Sequence, residues 1–454
     1  AMLPRILSAQ FGLMDDGVIA MMAEDGQGIL GFTDSGLTGR FRPVYWQYYS
    51  GLYRLIGESP TAFFILHAAI FAAIIAMVIL LVRRLGGNRL QAFIAGIAAV
   101  SVGPAIENFF TLSKSEPIQT FLLLAGLLAF QSLPAAKTKR NRVLIFGIAT
   151  LIFVLASFTK ETFIVMPAIG LAWLVMGWVM KRWPPAQIDL RLRTAVAAAL
   201  VIASVIFLLA AFPSMSMRQT GNYASRYELD FSRLADSIIG WKAWLTRDFL
   251  FCLPLGALFA VLLILRKPGP APMAALDALV FSVAWLVIFL PWEFTVEYYL
   301  LTAGMGIAVF SGIVLGGWMT QWSVLRPGWK AFSGLLAIAA LYLWLTTLPN
   351  QYNNARLQLT LDRVNQQMVA FLAEAVPTNG TVMINLPPGA EYIVELDYHL
   401  DYFYNRKDIQ VEPFRYQTPR TSAESIDYWL ITPAVLNKPV YSVRFGFLET
   451  AQER

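Results

Sequence analysis

The stretch TAFFILHAAIFAAIIAMVILLV, residues 61–82, runs for 22 positions without an Asp, Glu, Lys or Arg. At about 1.5 Å per residue, a helix of this length crosses the roughly 30 Å hydrocarbon core of a bilayer. Only 14% of the 454 residues are charged, against about 25% in soluble domains. The chain is therefore predicted to be an all-α polytopic membrane bundle. The ten predicted spans are about 61–82, 90–108, 118–133, 143–158, 163–180, 194–212, 249–265, 276–291, 299–318 and 331–348.

The basic residues between these spans fall mostly in alternate loops. One set of loops carries fifteen Lys and Arg and a single acidic residue, Asp189, whereas the other set mixes both signs. Because cytoplasmic loops carry the excess of Lys and Arg, the basic set is predicted to be cytoplasmic. The net charge of +6 then follows from topology, and nucleic acid is not a predicted partner. The basic set is Arg83, Arg84, Arg89, Lys137, Lys139, Arg140, Arg142, Lys181, Arg182, Arg191, Arg193, Arg266, Lys267, Arg326 and Lys330.

This orientation places residues 1–60 and the tail from 349 onward outside the cytoplasm. An N-terminal segment reaches that side only if a preceding helix carries it there, and the sequence starts at Ala1 with the stub LPRILSAQFGL. We therefore expect one more span before residue 1, eleven in the whole protein. The predicted location is an inner or plasma membrane, with the site facing the periplasm or its equivalent.

The last hundred or so residues have no apolar run of membrane length. A helix is predicted over about 353–375, followed by β-like runs such as TVMINL and IDYWLIT. The apolar residues at helical spacing in this helix are Leu357, Leu361, Val364, Met368 and Phe371. This pattern predicts a soluble α/β domain over 349–454 on the non-cytoplasmic side, after a transmembrane domain over 1–348.

Ionisable residues gather at the predicted outer ends of the spans, where charge is costly and therefore a functional signal. Five outer segments are predicted to converge on one face of the bundle. Transfer of a sugar from a lipid phosphate needs a carboxylate to deprotonate the acceptor hydroxyl and cations to stabilise the departing phosphate. The outer segments supply both kinds of group, in Asp15, Asp16, Arg40, Arg42, Glu107, Lys114, Glu116, Lys160, Glu161, Glu293 and Glu297.

The same residues have structural interpretations. Asp15–Asp16 is also typical of a turn or a helix cap, and Lys160–Glu161 of an ion pair that ends two helices. The long outer segment 213–248, with arginines between aromatic residues, is also typical of an amphipathic helix on the membrane surface.

The cysteine and the two histidines give little indication of a disulfide or a metal site. Cys252 is the only cysteine, so an intramolecular disulfide and a Cys-based metal site are both excluded. The two histidines, His67 and His399, are too far apart in sequence to form a local metal motif.

Taken in order, these features resemble the GT-C superfamily of integral membrane glycosyltransferases, which use polyprenyl-phosphate-linked sugars. The resemblance rests on the acidic pair, on RFRPVYWQYYSGLYRLIG at 40–57, on LSKSEP at 112–117, on FTKET at 158–162 and on a soluble domain after the last span. The RPVYW stretch and the Lys–Glu loop are most similar to the branch of protein O-mannosyltransferases and bacterial aminoarabinose transferases. A WWD motif of the oligosaccharyltransferase kind is absent from the sequence, which disfavours transfer of a whole glycan to asparagine.

The resemblance implies that Asp15 or Asp16 is the general base, with Asp15 slightly preferred. No cofactor or metal is implied, although clustered carboxylates would permit a divalent ion. Arg40 and Arg42 are equally suited to lipid headgroups. The implied donor-phosphate residues are Lys160, Arg42, Lys114 and Arg40, and the implied acceptor or sugar residues are Glu116, Glu161, Glu297 and Tyr298.

The predicted function is that of an inverting hexosyl- or pentosyltransferase. It would move one sugar from a polyprenyl-phosphate donor to an extracytoplasmic glycan, lipid or protein. Two alternatives stay open: a transporter or flippase for lipid-linked substrates, and a non-catalytic membrane assembly subunit. Transporters often show repeated halves and charges near the midplane, and this sequence shows neither.

Overall fold

The computed structural model describes residues 2–13, 16–24, 41–181, 189–216, 231–265, 270–292, 295–384, 391–413, 428–430 and 448–450. Within these ranges the chain is almost entirely helical. The helices are α1 (Leu3–Leu7), α2 (Asp16–Glu24), α3 (Pro43–Ile56), α4 (Pro60–Arg84), α5 (Arg89–Val100), α6 (Pro104–Phe110), α7 (Glu116–Phe130), α8 (Lys139–Ser157), α9 (Met166–Met180), α10 (Leu190–Ser216), α11 (Phe231–Asp248), α12 (Cys252–Ile264), α13 (Pro270–Val287), α14 (Leu301–Gln321), α15 (Pro327–Leu345), α16 (Leu348–Ala375) and α17 (Glu391–Tyr404). The strands are β1 (Thr381–Ile384), β2 (Gln410–Pro413), β3 (Tyr428–Leu430) and β4 (Leu448–Thr450).

The prediction of a helical membrane protein is confirmed, and every predicted span coincides with a helix. In the described ranges, seven helical segments are long and apolar enough to cross a membrane. Of the other predicted spans, 90–108 covers α5 and α6, which are bent by 62°, and 249–265 covers α12, which is bent by 75° from α11. The remaining one, in α13, is a shorter apolar helix. The count is therefore seven spans, or nine if each bent pair is one span, against the ten predicted.

The bundle has two ends with different chemistry. Helices α4, α7 and α14 begin at one end, which we call the Asp16 end because α2 lies there. Helices α4 and α7 finish at the other end, where α10 and α13 begin; we call it the basic-loop end after the Lys- and Arg-rich connections around it.

Local signals start and stop the helices at the Asp16 end. Pro43 occupies the first turn of α3, where its missing N–H costs nothing, and Gly57 ends that helix with φ of +63°. Two residues later the Ser59 side chain accepts from the Ala62 N–H at 3.4 Å and caps α4. This short connection sets α3 beside the start of the first long span.

Helix α14 lies at the centre of the bundle, and 94% of its most apolar 18-residue stretch is buried. It packs closely on α5 through small residues: a Cβ added at Gly312 would lie 2.5 Å from the Cβ of Ala95. The Gln91 side chain donates to the Ile313 carbonyl at 3.0 Å across the same contact. Small residues that let two backbones approach are typical of helix packing in membranes.

A second, smaller core lies beyond the last span. Its sheet has the order β2-β1-β3-β4, with β1 parallel to both neighbours and β3 antiparallel to β4. Leu372 of α16, Val382 of β1 and Leu396 and Leu400 of α17 are fully buried together. The two predicted β-like runs include β1 and β3. Helix α16 begins at Leu348, where the sequence analysis divides the chain; the division into two domains stays a prediction.

Candidate functional site

Asp16 is the first residue of α2 and is only 3% exposed. One carboxylate oxygen accepts from the Gly12 N–H at 2.6 Å and the other from the Ser113 hydroxyl at 2.5 Å. Both bonds favour the ionised form, as does its place at a helix N-terminus. Asp15, the slightly preferred base, lies outside the described residues, as do Arg40 and Glu293.

Two tyrosines of α3 hold the loop that reaches Asp16. Tyr45 donates to the Ser113 carbonyl at 2.7 Å, and Tyr49 donates to the Lys114 carbonyl at 3.0 Å. Their spacing of four residues puts both hydroxyls on one face of the helix. Ser113 itself has φ of +61°, a left-handed conformation that is uncommon outside glycine. The VYWQYY motif therefore serves to set the position of this loop.

Tyr49 stands between the candidate carboxylates. Burial raises its pKa well above the ordinary value, and Tyr48, Tyr45 and the carboxylates of Asp16 and Glu116 raise it further. The phenol consequently keeps its proton and acts as a donor throughout the physiological range.

Lys160 and Glu116 form a buried ion pair, with side chains 7% and 3% exposed. Glu116 opens α7, where the helix dipole favours negative charge. The Gln119 side chain donates to the Lys160 carbonyl at 3.0 Å and accepts from the Thr162 hydroxyl at 3.0 Å, which anchors the short 158–162 loop on α7. The resemblance assigned this Lys and this Glu to different ligands, yet here they contact each other.

Two lysines share an aromatic platform at the start of α14. The ammonium of Lys160 lies 4.2 Å from the ring centre of Tyr299, and that of Lys114 lies 4.5 Å from the ring centre of Tyr298. Lys160 is also 5.5 Å from the Tyr298 ring, so both cations face one tyrosine. The Asn108 side chain donates to the Tyr298 carbonyl at 2.9 Å and holds the turn. Two adjacent cations on π-faces form a place suited to an anion.

Glu297, implied to line the acceptor pocket, is 2% exposed and paired with Arg247 at 2.5 Å. Arg247 also contacts its neighbour Asp248 at 2.5 Å. The Asn354 side chain of α16 approaches Glu297 at 3.4 Å. This pairing ties α11 and α16 to the turn that carries the tyrosine platform.

Arg42 and Glu161 are the other candidate residues that the structure describes. The Arg42 guanidinium lies 4.7 Å from the ring centre of Tyr45 and 5.5 Å from that of Trp46. Glu161 starts the short helical turn after Lys160 and is half-buried. The N–H of Val44 donates to the Phe158 carbonyl at 3.1 Å, which joins the start of α3 to the Lys160 loop.

Sequence reasoning missed the contribution of the C-terminal helices. Asp362 of α16 forms a buried ion pair with Arg5, 357 positions away. A Cβ added at Gly12 would lie 3.4 Å from a carboxylate oxygen of Asp16 and 3.4 Å from one of Asp362, so these carboxylates flank the same glycine. In addition, Glu395 of α17 accepts from the Gly17 N–H at 3.3 Å. For Asp362 the only available signal was an acidic residue on the helix predicted over 353–375, and Glu395 lies outside every predicted helix.

Metal ligands do not gather in the part of the chain that the structure describes: it contains no group of three His, Cys, Asp or Glu side chains able to hold an ion. Asp15 and residues 25–40 lie outside that part of the chain.

The fold defines the class: this is an integral membrane protein with the GT-C fold that the resemblance implied. It is similar to ArnT from Cupriavidus metallidurans bound to undecaprenyl phosphate, with 12% identity, a TM-score of 0.54 and coverage of 95% of this chain and 91% of that one. The structure of the same protein in the apo state has 13% identity and a TM-score of 0.51, with coverage of 87% of this chain and 82% of that one. The apo form of the Archaeoglobus fulgidus oligosaccharyltransferase has 12% identity and a TM-score of 0.53, with coverage of 90% of this chain and 61% of that one. No protein-family model and no curated protein sequence matches the chain.

Proposed function

We propose that this protein is an inverting glycosyltransferase that moves one sugar from a polyprenyl-phosphate donor to an acceptor hydroxyl. The observation that carries the proposal is the tyrosine platform with its two lysines, Lys114 and Lys160. Ser113, the residue before Lys114, donates a hydrogen bond to the buried carboxylate of Asp16. A cation site for the leaving phosphate and a carboxylate for the acceptor are the two groups that such a transfer needs.

In the proposed reaction, Asp16 accepts the proton of the acceptor hydroxyl as the acceptor oxygen attacks the anomeric carbon. The bond between that carbon and the phosphate oxygen breaks, the glycosidic bond forms on the opposite face, and polyprenyl phosphate leaves. Lys160 and Lys114 stabilise the negative charge that grows on the departing phosphate. Asp15, the next residue, is the alternative base.

Glu116 has a specific part in this scheme. Without donor it neutralises Lys160, which a buried ammonium requires. A phosphate arriving over the Tyr298 ring replaces that carboxylate as the partner of Lys160. The positive platform is thus kept assembled before the substrate binds, and reorganisation during the reaction is small.

The orientation proposed for the bundle follows from the basic loops. The loops of the basic set carry fifteen cations and one anion, which favours placing the basic-loop end in the cytoplasm and the Asp16 end on the opposite side. The solved structure of ArnT with undecaprenyl phosphate supports a polyprenyl lipid as donor for a chain of this fold.

The test compares Asp16→Asn with the matched control Asp236→Asn, an exposed aspartate of α11. Purified proteins in liposomes receive radiolabelled polyprenyl-phosphate hexoses and pentoses with a glycolipid acceptor pool, and labelled product is counted. We expect Asp16→Asn to lose at least about a hundredfold in turnover while its thermal unfolding is preserved, since general bases contribute about 10²–10⁴-fold. Near wild-type turnover in Asp16→Asn, and in Asp15→Asn, would make the proposal wrong.

A further inference from the structure

A second potential site lies inside the bundle, away from Asp16. A cavity of about 340 Å³ opens between α4, α7, α10, α13 and α14. One water molecule takes up about 30 Å³, so the space is much larger than an ordinary packing defect. Its lining is mostly apolar: Leu, Val, Met, Phe, Ala and Trp side chains outnumber the polar ones, and apolar walls do not hold water.

The cavity is polar at one end only. Arg84, Asp189, Arg193 and Asp277 line it at the basic-loop end, close to where α4 finishes and α10 begins. From there the lining is apolar along α7 up to Thr120. The eleven helical steps from Thr120 to Gln131 correspond to about 16 Å of helix. A long apolar space with one polar end matches a single chain of an amphiphile.

The opposite end is closed off from the candidate site. The hydroxyls of Thr120 and Thr302 share a hydrogen bond of 2.7 Å that joins α7 to α14, one turn below Glu116. Arg84 and Asp189 are both exposed, so the polar end is the open one. A chain therefore enters from the basic-loop end and not from the tyrosine platform.

The four charged lining residues balance, two Arg against two Asp, and the connecting loops around them are basic. Arg193 is neutralised by Asp277, with bonds of 3.0 and 2.5 Å, and donates to the Trp173 carbonyl at 2.5 Å, which builds a rigid rim across three helices. Asp189 accepts from the N–H groups of Arg191 and Leu192 and so caps α10. Arg84 adds a positive charge at the rim, within a set of loops that is overwhelmingly basic.

We propose that this cavity binds one acyl chain of an anionic phospholipid from the leaflet on the basic-loop side, with the lipid phosphate at Arg84. This site is independent of the proposed transfer reaction. The bound chain fills space that would otherwise leave the α7–α13–α14 contact underpacked, so the lipid acts as a structural ligand.

The test uses the full chain, purified and stripped of lipid, with native mass spectrometry to count retained lipids. Dioleoylphosphatidylglycerol and dioleoylphosphatidylcholine are offered at equal concentration. Ala274→Phe fills the cavity and Leu127→Trp fills it from another wall. Arg84→Gln removes the cation at the mouth, and the exposed Arg140→Gln is the matched control.

We expect one phosphatidylglycerol on the wild type and on Arg140→Gln, with little phosphatidylcholine. Arg84→Gln should weaken phosphatidylglycerol binding about fivefold. A filling variant that retains the wild-type elution profile should lose the lipid. The proposal is overturned if phosphatidylcholine binds equally, if neither folded filling variant loses lipid, or if undecaprenyl phosphate displaces phosphatidylglycerol one for one.

Discussion

Two ion pairs, one buried and one half-buried, lie at opposite ends of the same bundle, and their geometry differs. Arg193 uses the planar fork of its guanidinium on both oxygens of Asp277 and adds a bond to the Trp173 carbonyl, so it joins α9, α10 and α13. Lys160 instead lies between the carboxylate of Glu116 and the face of Tyr299. An ammonium is a compact point charge whose contacts do not depend on planar geometry. The Arg193 pair is suited to structure, and the Lys160 pair to exchange of one anion for another.

Surroundings reinforce the difference between the two pairs. At the Asp16 end, a second lysine, Lys114, lies over the ring of Tyr298, and the neighbouring Ser113 donates a hydrogen bond to the Asp16 carboxylate. At the basic-loop end, the pair forms the rim of an apolar cavity. One ion pair thus lies among other ionisable side chains, and the other lies at the edge of an apolar cavity.

The largest expected effect comes from removing one cation at each end. Lys160→Met should lower transfer by about 10²–10³-fold, because one electrostatic contact to developing charge is worth that much. Arg193→Met should lower transfer less than tenfold per folded molecule but destabilise the bundle by about 1–3 kcal/mol, since it leaves the half-buried Asp277 without its partner. Turnover and thermal unfolding of the two variants, measured side by side, check the comparison.

A double variant sharpens that result. Lys160→Met with Glu116→Gln removes both charges, so it should regain much of the stability lost in Lys160→Met while transfer stays low. Recovery of transfer in the double variant would show that Lys160 merely balances Glu116 and does not serve the donor.

A smaller effect is expected from Tyr49→Phe. The change removes the donor to the Lys114 carbonyl and should cost about 1 kcal/mol of stability and about tenfold in turnover, because the loop beside Asp16 is less well held. Tyr352→Phe, at a position 64% exposed, is the control and should change neither quantity. Equal turnover in both variants would contradict the positioning role of α3.

The pH dependence of stability tests the contact between α17 and α2. Burial lowers the pKa of His399 to about 4, although the carbonyls of Glu395 and Gly12 favour its proton. Between that value and the ordinary pKa of about 6.5, the unfolded chain binds more protons than the folded one. Stability should therefore decline as the pH falls from about 6.5 to about 4, by up to about 3 kcal/mol.

Thermal unfolding of the wild type and His399→Gln between pH 7.5 and 4.5 measures this decline. The variant should show a flatter dependence, since its side chain does not titrate. Parallel decline of both proteins would assign the pH sensitivity to other groups.

The helices were predictable from the sequence because an apolar run of membrane length has one stable conformation in lipid. The bends were not, since α6 begins at Gly103–Pro104 inside what reads as one span and only packing decides its 62° angle. In α16 the helix was predicted, but of the residues at helical spacing Phe371 is 41% exposed, whereas Asp362 is 5% exposed. The buried face includes polar residues because it meets Arg5, which hydrophobic spacing cannot indicate.

The candidate site divides in the same way. Its residue types and their common end of the bundle followed from charge placed against apolar spans. The pairing of Lys160 with Glu116, and the approach of Asp362 and Glu395 to the α2 region, depend on contacts across 44 to 378 positions. Single-sequence reasoning assigns roles to such residues one at a time, so it separated Glu116 from Lys160.

The most direct measurement is an experimental structure of the full chain with undecaprenyl phosphate. We predict phosphate density over the Tyr298 ring, within hydrogen-bond distance of the Lys160 ammonium, with Glu116 turned away from it. Phosphate density at Arg84 and Arg193, with the Lys160–Glu116 pair intact, would contradict the account.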